Sequence, residues 1–386
     1  MIRRIFAVMV VAVILLGTGC GRDTNGEGAG AYSIEDFFPR VPNRLKFFEG
    51  SQTNQRLDAN GNLTVDENVI MFAFFEDHIH EHRHQTRTLA WIDGWDFTSV
   101  AVYELGDGQL RIINSAVDFV DHTDITDEEP WDNMIVLAEP LVVGNSWIRF
   151  QAGNIIERAQ ILSMNTEITV PYGTFEAMVV EVTVDALGQV TREYFVRELG
   201  LVQTVVEGPH LQSLQQLSDI NYSPFMGVVH VFTGWDVHVE MMEDDTPLFS
   251  HVPIGYMIPM EIPTNADLIP LYMETFRTFL SENMDFELDP AIDINFIEFD
   301  RFPRLLHVDF TEAFLTTMTA LGDQEEHVLQ LVADTLGAMY RAFEVTFSID
   351  GAPYASENVT IDPAQGDRIL LTMFRDLNDP EHAPDF

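Results

Sequence analysis

Val100-Ala101-Val102-Tyr103-Glu104-Leu105, then Gly106-Asp107-Gly108, then Gln109-Leu110-Arg111-Ile112-Ile113 is the stretch that decides the first half of the fold. β-Branched and apolar residues flank an Asp-Gly pair. That pair tolerates the positive φ a tight hairpin demands, so two antiparallel strands are expected here. The same grammar runs outward over residues 37–220. Thr166-Glu167-Ile168-Thr169-Val170 ends at Pro171-Tyr172-Gly173, and a β-branched run resumes over 175–184. Residues 189–196 and 201–206 give two more strands, broken by Gly200. No long amphipathic helix interrupts, so residues 35–220 are expected to form a mostly antiparallel β domain.

Past Asn221-Tyr222-Ser223-Pro224 the period changes. Leu268, Leu271, Tyr272, Thr275, Phe276, Phe279 and Leu280 recur at helical spacing, with Pro270 in the first turn, where its missing N–H does no harm. Val328, Leu331, Val332, Thr335, Leu336, Met339, Tyr340 and Phe343 form a second stripe. It reads as core rather than a docking face, and Trp91 and Trp95 likewise read as buried strand aromatics. Strands are expected over 227–235, 293–299, 305–310 and 344–349, the last turned by Asp350-Gly351. In 305–310, Leu306, Val308 and Phe310 share one face and His307 and Asp309 the other, with Thr311 placed to cap the next helix. The order β, α, β, β, α, β implies helices on a small sheet over 225–355, followed by a C-terminal extension over 356–386. The whole is then α+β: a mostly antiparallel β domain followed by a small α/β domain.

The N-terminus reads as an address. Arg3 and Arg4 precede an unbroken apolar run over 5–16, and Gly17-Thr18-Gly19-Cys20 follows. The run is too short to span a bilayer, which takes about 20 apolar residues, and suits the core of a secretory signal. The small residues before Cys20 look like a bacterial lipobox. The expectation is a signal over residues 1–19, lipidation at Cys20, a flexible tether over 20–34, and a body on the extracytoplasmic face of the cell membrane.

Charge narrows the function classes. There are 62 Asp+Glu against 20 Lys+Arg, a net of −42. So negative a chain repels phosphate backbones, which excludes nucleic-acid binding. One cysteine excludes an intramolecular disulfide and a Cys-based zinc cluster. Lys46 is the sole lysine. Because guanidinium stays charged where ammonium deprotonates, an acid-rich, lysine-poor composition suits alkaline or salty surroundings.

No nucleophile elbow, Walker loop, dinucleotide fingerprint or His-Glu-x-x-His occurs, so a non-catalytic binding or scaffold role with no cofactor is expected. A dispersed carboxylate site, as in an envelope hydrolase, would leave no signature of its own. His78, His80, His82 and His84 alternate within Glu76-Asp77-His78-Ile79-His80-Glu81-His82-Arg83-His84 and would share one strand face. An extracytoplasmic metal-binding lipoprotein is therefore the alternative; against it stand Arg83 and the difficulty of completing a tetrahedral shell from a flat strand, and a polar strand face explains the histidines without metal.

Leu306-His307-Val308-Asp309-Phe310-Thr311-Glu312-Ala313-Phe314 resembles a segment of the GerMN domain, named for a spore-germination and sporulation lipoprotein. Leu329-Gln330-Leu331-Val332-Ala333-Asp334-Thr335-Leu336 resembles its helix, Val345-Thr346-Phe347-Ser348-Ile349-Asp350-Gly351 its final strand, and residues 227–232 its first. The resemblance implies a fold similar to ring-building α/β modules, a non-catalytic envelope role and contacts with other envelope proteins. Asp36-Phe37-Phe38-Pro39, Leu141-Val142-Val143-Gly144-Asn145-Ser146-Trp147, Val170-Pro171-Tyr172-Gly173-Thr174-Phe175-Glu176-Ala177 and residues 193–202 resemble a β-rich region of bacterial surface lipoproteins.

Overall fold

The computed structural model describes residues 32–57, 63–92, 97–117, 125–126, 129–241, 247–284, 288–300, 303–365 and 367–372. The chain divides into two units, one of residues 1–119, 124–225 and 262–266, the other of 120–123, 226–261 and 267–386.

The first unit is built on a 12-stranded antiparallel sheet. Its strands are β1 (Leu45–Leu57), β2 (Leu63–His80), β3 (Gln85–Ile92), β4 (Phe97–Gly106), β5 (Gln109–Val117) and β6 (Met134–Ala138). They continue with β7 (Ser146–Ala152), β8 (Ile155–Val170), β9 (Gly173–Val184), β10 (Gln189–Val196), β11 (Gly200–Glu207) and β12 (Leu211–Asn221). The Asp-Gly pair turns as expected: Asp107 and Gly108 take φ of 53° and 68°, with Gly106 opposite Gln109. In space the order runs β6-β5-β4-β3-β2-β1-β12-β11-β10-β9-β8-β7. Strands β6 and β7 are joined by the short connection 139–145, yet they stand at opposite ends of that order. The sheet must therefore curl round until its first and last strands are neighbours, giving a nearly closed barrel-like body.

Alternation decides what lies inside. Phe48, Phe72, Phe74, Ala101, Tyr103, Ile161, Val180, Phe195 and Leu217 belong to one buried cluster, shared by α1 (Ile34–Phe37) through Ile34 and Phe37. Ile34 is 1% exposed, so the expected tether over 20–34 gives way to packed structure before its end. Burying each such side chain contributes about 1.5–3 kcal/mol. Leu89, Val100, Val102, Ile113 and Ile125 form a second cluster on the opposite face of the sheet.

In the second unit, among the described residues, β13 (Phe225–Met241) pairs only with β14 (Pro247–Ile262). A separate sheet runs β15 (Ile294–Asp300), β16 (Leu305–Phe310), β17 (Glu344–Ile349), β18 (Ala352–Ala355) and β19 (Thr360–Ile361), with β20 (Ile369–Leu370) also on β17. The strand expected over 227–235 therefore stays outside the small sheet. Edge competition explains this: β16 lies between β15 and β17, and β17 between β16 and the pair β18 and β20. Strands β16 and β17 are parallel, as a crossover through α3 (Glu312–Thr319) and α4 (Glu325–Met339) requires. Helix α2 (Leu268–Met284) contributes Met273 to the core formed by Leu306, Val308, Phe310, Leu329, Leu336, Tyr340 and Phe347.

Three local expectations are corrected. Thr311 stands at the N-cap of α3, but its hydroxyl donates to the Ala291 carbonyl (2.8 Å) and accepts from the Asp293 N–H (3.1 Å), tying down the approach to β15 instead of capping. Phe343 lies beyond the end of α4 and is 40% exposed, while Met339 and Tyr340 pack in the core. The expected extension from residue 356 is partly sheet: Thr372 binds Asp334 through both its N–H (2.8 Å) and its hydroxyl (2.7 Å), seating β20.

Candidate functional site

The barrel-like body has a seam where β6 meets β7. At the loop end it is stitched by side chains: Asn145 Nδ2 donates to the Ala138 carbonyl (2.9 Å) and Trp147 Nε1 to the Ile135 carbonyl (3.0 Å). Among the described residues no ladder joins the two strands; β6 pairs only with β5, and β7 only with β8. Away from the stitches the edges part around a cleft of about 500 Å³. One lip is Pro130, Trp131, Asp132, Asn133 and Ile135, the other Ile148, Arg149, Phe150 and Gln151.

The sequence explains why the ladder fails there. Pro130 has no N–H to offer. The next N–H groups turn away from β7, that of Trp131 to Asn114 Oδ1 (3.0 Å) and that of Asp132 to the Ile113 carbonyl (2.9 Å). Trp131 Nε1 donates to the Ser115 carbonyl (3.1 Å), and the Ser115 hydroxyl donates to Asp132. The first lip is thus anchored to β5, which leaves β7 facing a gap.

Behind the second lip lies a polar row. Strand register sets Gly50 opposite Gln215, Gln215 opposite Thr204, and Thr204 opposite Glu193. Arg149 reaches this row: its Nη1 donates to Glu193 Oε1 (2.6 Å), and its Nε lies 4.0 Å from Glu157 Oε2. Arg149 Nη2, Glu193 Oε2 and Tyr103 Oη are buried without a partner among the described residues. Burial pushes the Glu193 carboxyl above its ordinary range, with Arg149 opposing, and pushes the Tyr103 phenol up strongly. Arg44 Nη2 donates to Glu76 Oε1 (2.8 Å), the Val41 N–H donates to Glu76 Oε2 (2.9 Å), and Lys46 donates to the Leu199 carbonyl. Burial lowers Arg44 to about 10, with Glu76 opposing, and lowers Lys46 well below its ordinary value.

Of the residues singled out from sequence, Cys20 and Trp95 lie outside the described residues, as does the Trp91 side chain. The four histidines do not share a strand face. Strand β2 ends at His80, residues Glu81–Arg83 form a 3₁₀ turn, and His84 is left-handed at φ 53° because the chain must reverse into β3. The His78 and His80 rings lie 6.0 Å apart; His80 Nε2 is 3.2 Å from the Thr126 hydroxyl and His78 Nδ1 3.6 Å from Asp77. Among the described residues no group of three or more His, Cys, Asp or Glu is placed to hold a metal.

His307 and Asp309 meet through Ser348, whose hydroxyl lies 3.0 Å from His307 Nε2 and donates to Asp309. Asp309 also accepts from the Gly351 N–H (2.8 Å) and from Asn295 Nδ2 (2.8 Å). With serine in the middle, the imidazole is not positioned between nucleophile and carboxylate, and the network is a brace across β16 and β17. Sequence reading missed Arg149, Glu193 and Tyr103. The available signal was a charge set among inward-facing aromatics and β-branched residues.

No family model matches the chain, so the GerMN resemblance has no family match behind it. No curated protein matches it either. Among solved structures the chain is similar to a candidate lipoprotein of Parabacteroides distasonis, at 13% identity over 48% of this chain and 98% of that one, with a TM-score of 0.25. It is similar to a β-barrel-like protein of the domain of unknown function DUF1849 from Brucella abortus, at 10% identity over 47% and 97%, TM-score 0.24. A DUF1329 family protein from Desulfovibrio piger gives 9% identity over 47% and 86%, TM-score 0.20.

Proposed function

We propose that the protein is a lipid-anchored, extracytoplasmic binding protein without catalytic activity, held by Cys20 on the outer side of the cell membrane. The observation that carries the binding role is the open seam: a rigid β body that leaves a strand edge bare over a cleft has a surface made for contact. Arg3, Arg4, the apolar run 5–16 and Cys20 support the anchor. In the same reading residues 225–355 act as a GerMN-like module that touches other envelope proteins during sporulation or germination. The crossover from β16 through α3 and α4 to β17, with three of the four resembling segments in order along it, supports that part.

The test is expression of the full chain and of Cys20→Ser in a bacterial host fed radiolabelled palmitate. The natural chain is expected in the membrane fraction, labelled, and cleaved by protease added outside the cell or spheroplast. Cys20→Ser is expected unlabelled. Recovery of the natural chain from the cytosol with Met1 intact overturns the reading.

A further inference from the structure

We infer that the seam cleft receives an extended, cationic segment of a partner protein, which enters as an added strand between the two lips. This deepens the binding role above and rests on it. Among the described residues Ile148, Phe150 and Gln151 pair only toward β8, with a bulge at Arg149 between Ile148 and Phe150, so on either side of that bulge the other edge of β7 offers N–H and C=O groups to the cleft. Alternating donors and acceptors along one edge are complemented by another peptide backbone, which is how sheets recruit extended ligands. Four residues at about 3.3 Å each span about 13 Å, enough to seat a short strand. At about 500 Å³ the cleft is within the size range of ordinary ligand sites.

Trp131 and Ile148, 44% and 46% exposed, flank the gap and offer apolar surface to alternate side chains of the entering segment. The stitches at Asn145 and Trp147 fix one end of the seam, so the ligand enters from the other. Charge selects the occupant. Arg149 is engaged inward by Glu193 and Glu157, Asp132 lines the outer lip, and the chain carries a net −42. An anionic segment is repelled, and a second copy of this chain brings the same acidic surface. A segment bearing Lys or Arg beside β-branched residues is attracted.

The experiment uses the full mature chain and a fluorescent probe peptide, Lys-Val-Thr-Val-Lys-Val-Thr, capped at both ends. Anisotropy is expected to show saturable binding, and hydrogen exchange to show new protection confined to residues 148–151, the open edge of the second lip. N-methylation of alternate amides along one peptide edge is expected to weaken binding about tenfold, because only main-chain bonds are lost. Replacing both probe lysines by glutamate is expected to weaken it about tenfold, and Asp132→Asn severalfold. Equal binding of the N-methylated probe, protection elsewhere, no binding, or a dimer that closes the seam overturns the proposal. The readout is on purified protein, so failure here with palmitate labelling intact removes the strand slot and leaves the anchored binding protein standing.

Discussion

Replacing Arg149 by methionine removes the guanidinium that faces two buried carboxylates. Arg149 is 1% exposed, and its guanidinium holds Glu193 at 2.6 Å and Glu157 at 4.0 Å. Methionine keeps much of the apolar stem, so the loss is chiefly electrostatic. Breaking a buried pair on one side costs about 3–5 kcal/mol, a large share of a folded unit's stability of roughly 5–15 kcal/mol. Trp91, Trp95, Trp131 and Trp147 lie in the first unit and only Trp235 in the second, so tryptophan fluorescence during urea unfolding reports mainly on the affected body. With a urea slope of about 3 kcal/mol/M the midpoint is expected to fall by about 1–1.7 M. The loss depends on pH. Burial already holds Glu193 above its ordinary 4.5, and without Arg149 the folded value rises further. A carboxyl whose folded pKa is raised contributes stability below 4.5 that is lost as pH climbs through the folded value, so Arg149→Met suffers more at pH 8 than at pH 5. The double variant Arg149→Met with Glu193→Leu is expected to recover much of the loss, because an apolar pair replaces an orphaned charge. A single variant within 1 kcal/mol of the natural chain at pH 8, or a double variant worse than the single, refutes this reasoning.

In the second unit, burial alone would raise Asp309 and Glu325, but hydrogen bonds from Ser348, Asn295 and the Gly351 N–H to Asp309, and from Ser356, Tyr354 and Asn358 to Glu325, bring both below their ordinary values. A depressed carboxyl contributes stability present above its ordinary value and lost as pH falls through the folded one, so far-UV circular dichroism melts should show this unit weakening below about pH 4, less steeply in Asp309→Asn; parallel profiles for the two proteins count against the brace. Lys46 has the same sense at higher pH: its folded pKa is lowered by burial, first of all, and by Arg44, so stability rises as pH climbs from that value toward 10.5. Urea midpoints between pH 7 and 10.5 should climb in the natural chain relative to Lys46→Met, and equal slopes would show that the buried amine does not titrate as its surroundings require.

Much of the fold was legible because local signals suffice for it. Asp107-Gly108 and Asp350-Gly351 both take the positive φ values that the dipeptide favours, and the helical stripes over 268–280 and 328–340 match α2 and α4. What stayed hidden depends on partners far away in sequence. In Thr191-Arg192-Glu193-Tyr194-Phe195 each face of the strand offers a charge and an aromatic ring, and only pairing with β9 and β11 turns Glu193 inward. The residues of β13 read as a strand, yet nothing in them says that β14 rather than β16 is the neighbour. The histidine run looked continuous because no Gly or Pro marks its turn; His84 takes the left-handed conformation unaided. Strand β20 is too short to show any period, though its neighbour Leu371 packs where a Cβ on Gly337 would lie.

The placement of cations joins the seam to the composition. Lys46, Arg44, Arg87 and Arg149 are each 1% exposed, and they are buried together with the acids Glu76, Asp77, Glu157, Glu193, Asp309, Glu325 and Asp334, so the buried charges largely offset one another and the exterior keeps the strong negative balance of the chain. The cations left outside are arginines, whose charge persists far above neutral pH, so alkaline surroundings strip little positive charge from the surface. An open strand edge ordinarily invites pairing between copies. Here two devices oppose that outcome: side-chain stitches at Asn145 and Trp147 shorten the bare edge, and mutual repulsion between strongly acidic bodies keeps copies apart. The second device is selective, because it leaves the edge accessible to a positively charged strand. It is also sensitive to salt: at 1 M the screening length is about 3 Å, and repulsion between copies then no longer reaches across the approach to the seam. In concentrated brine the stitches alone would hold the edge, which makes Asn145 and Trp147 the residues on which solubility under those conditions depends.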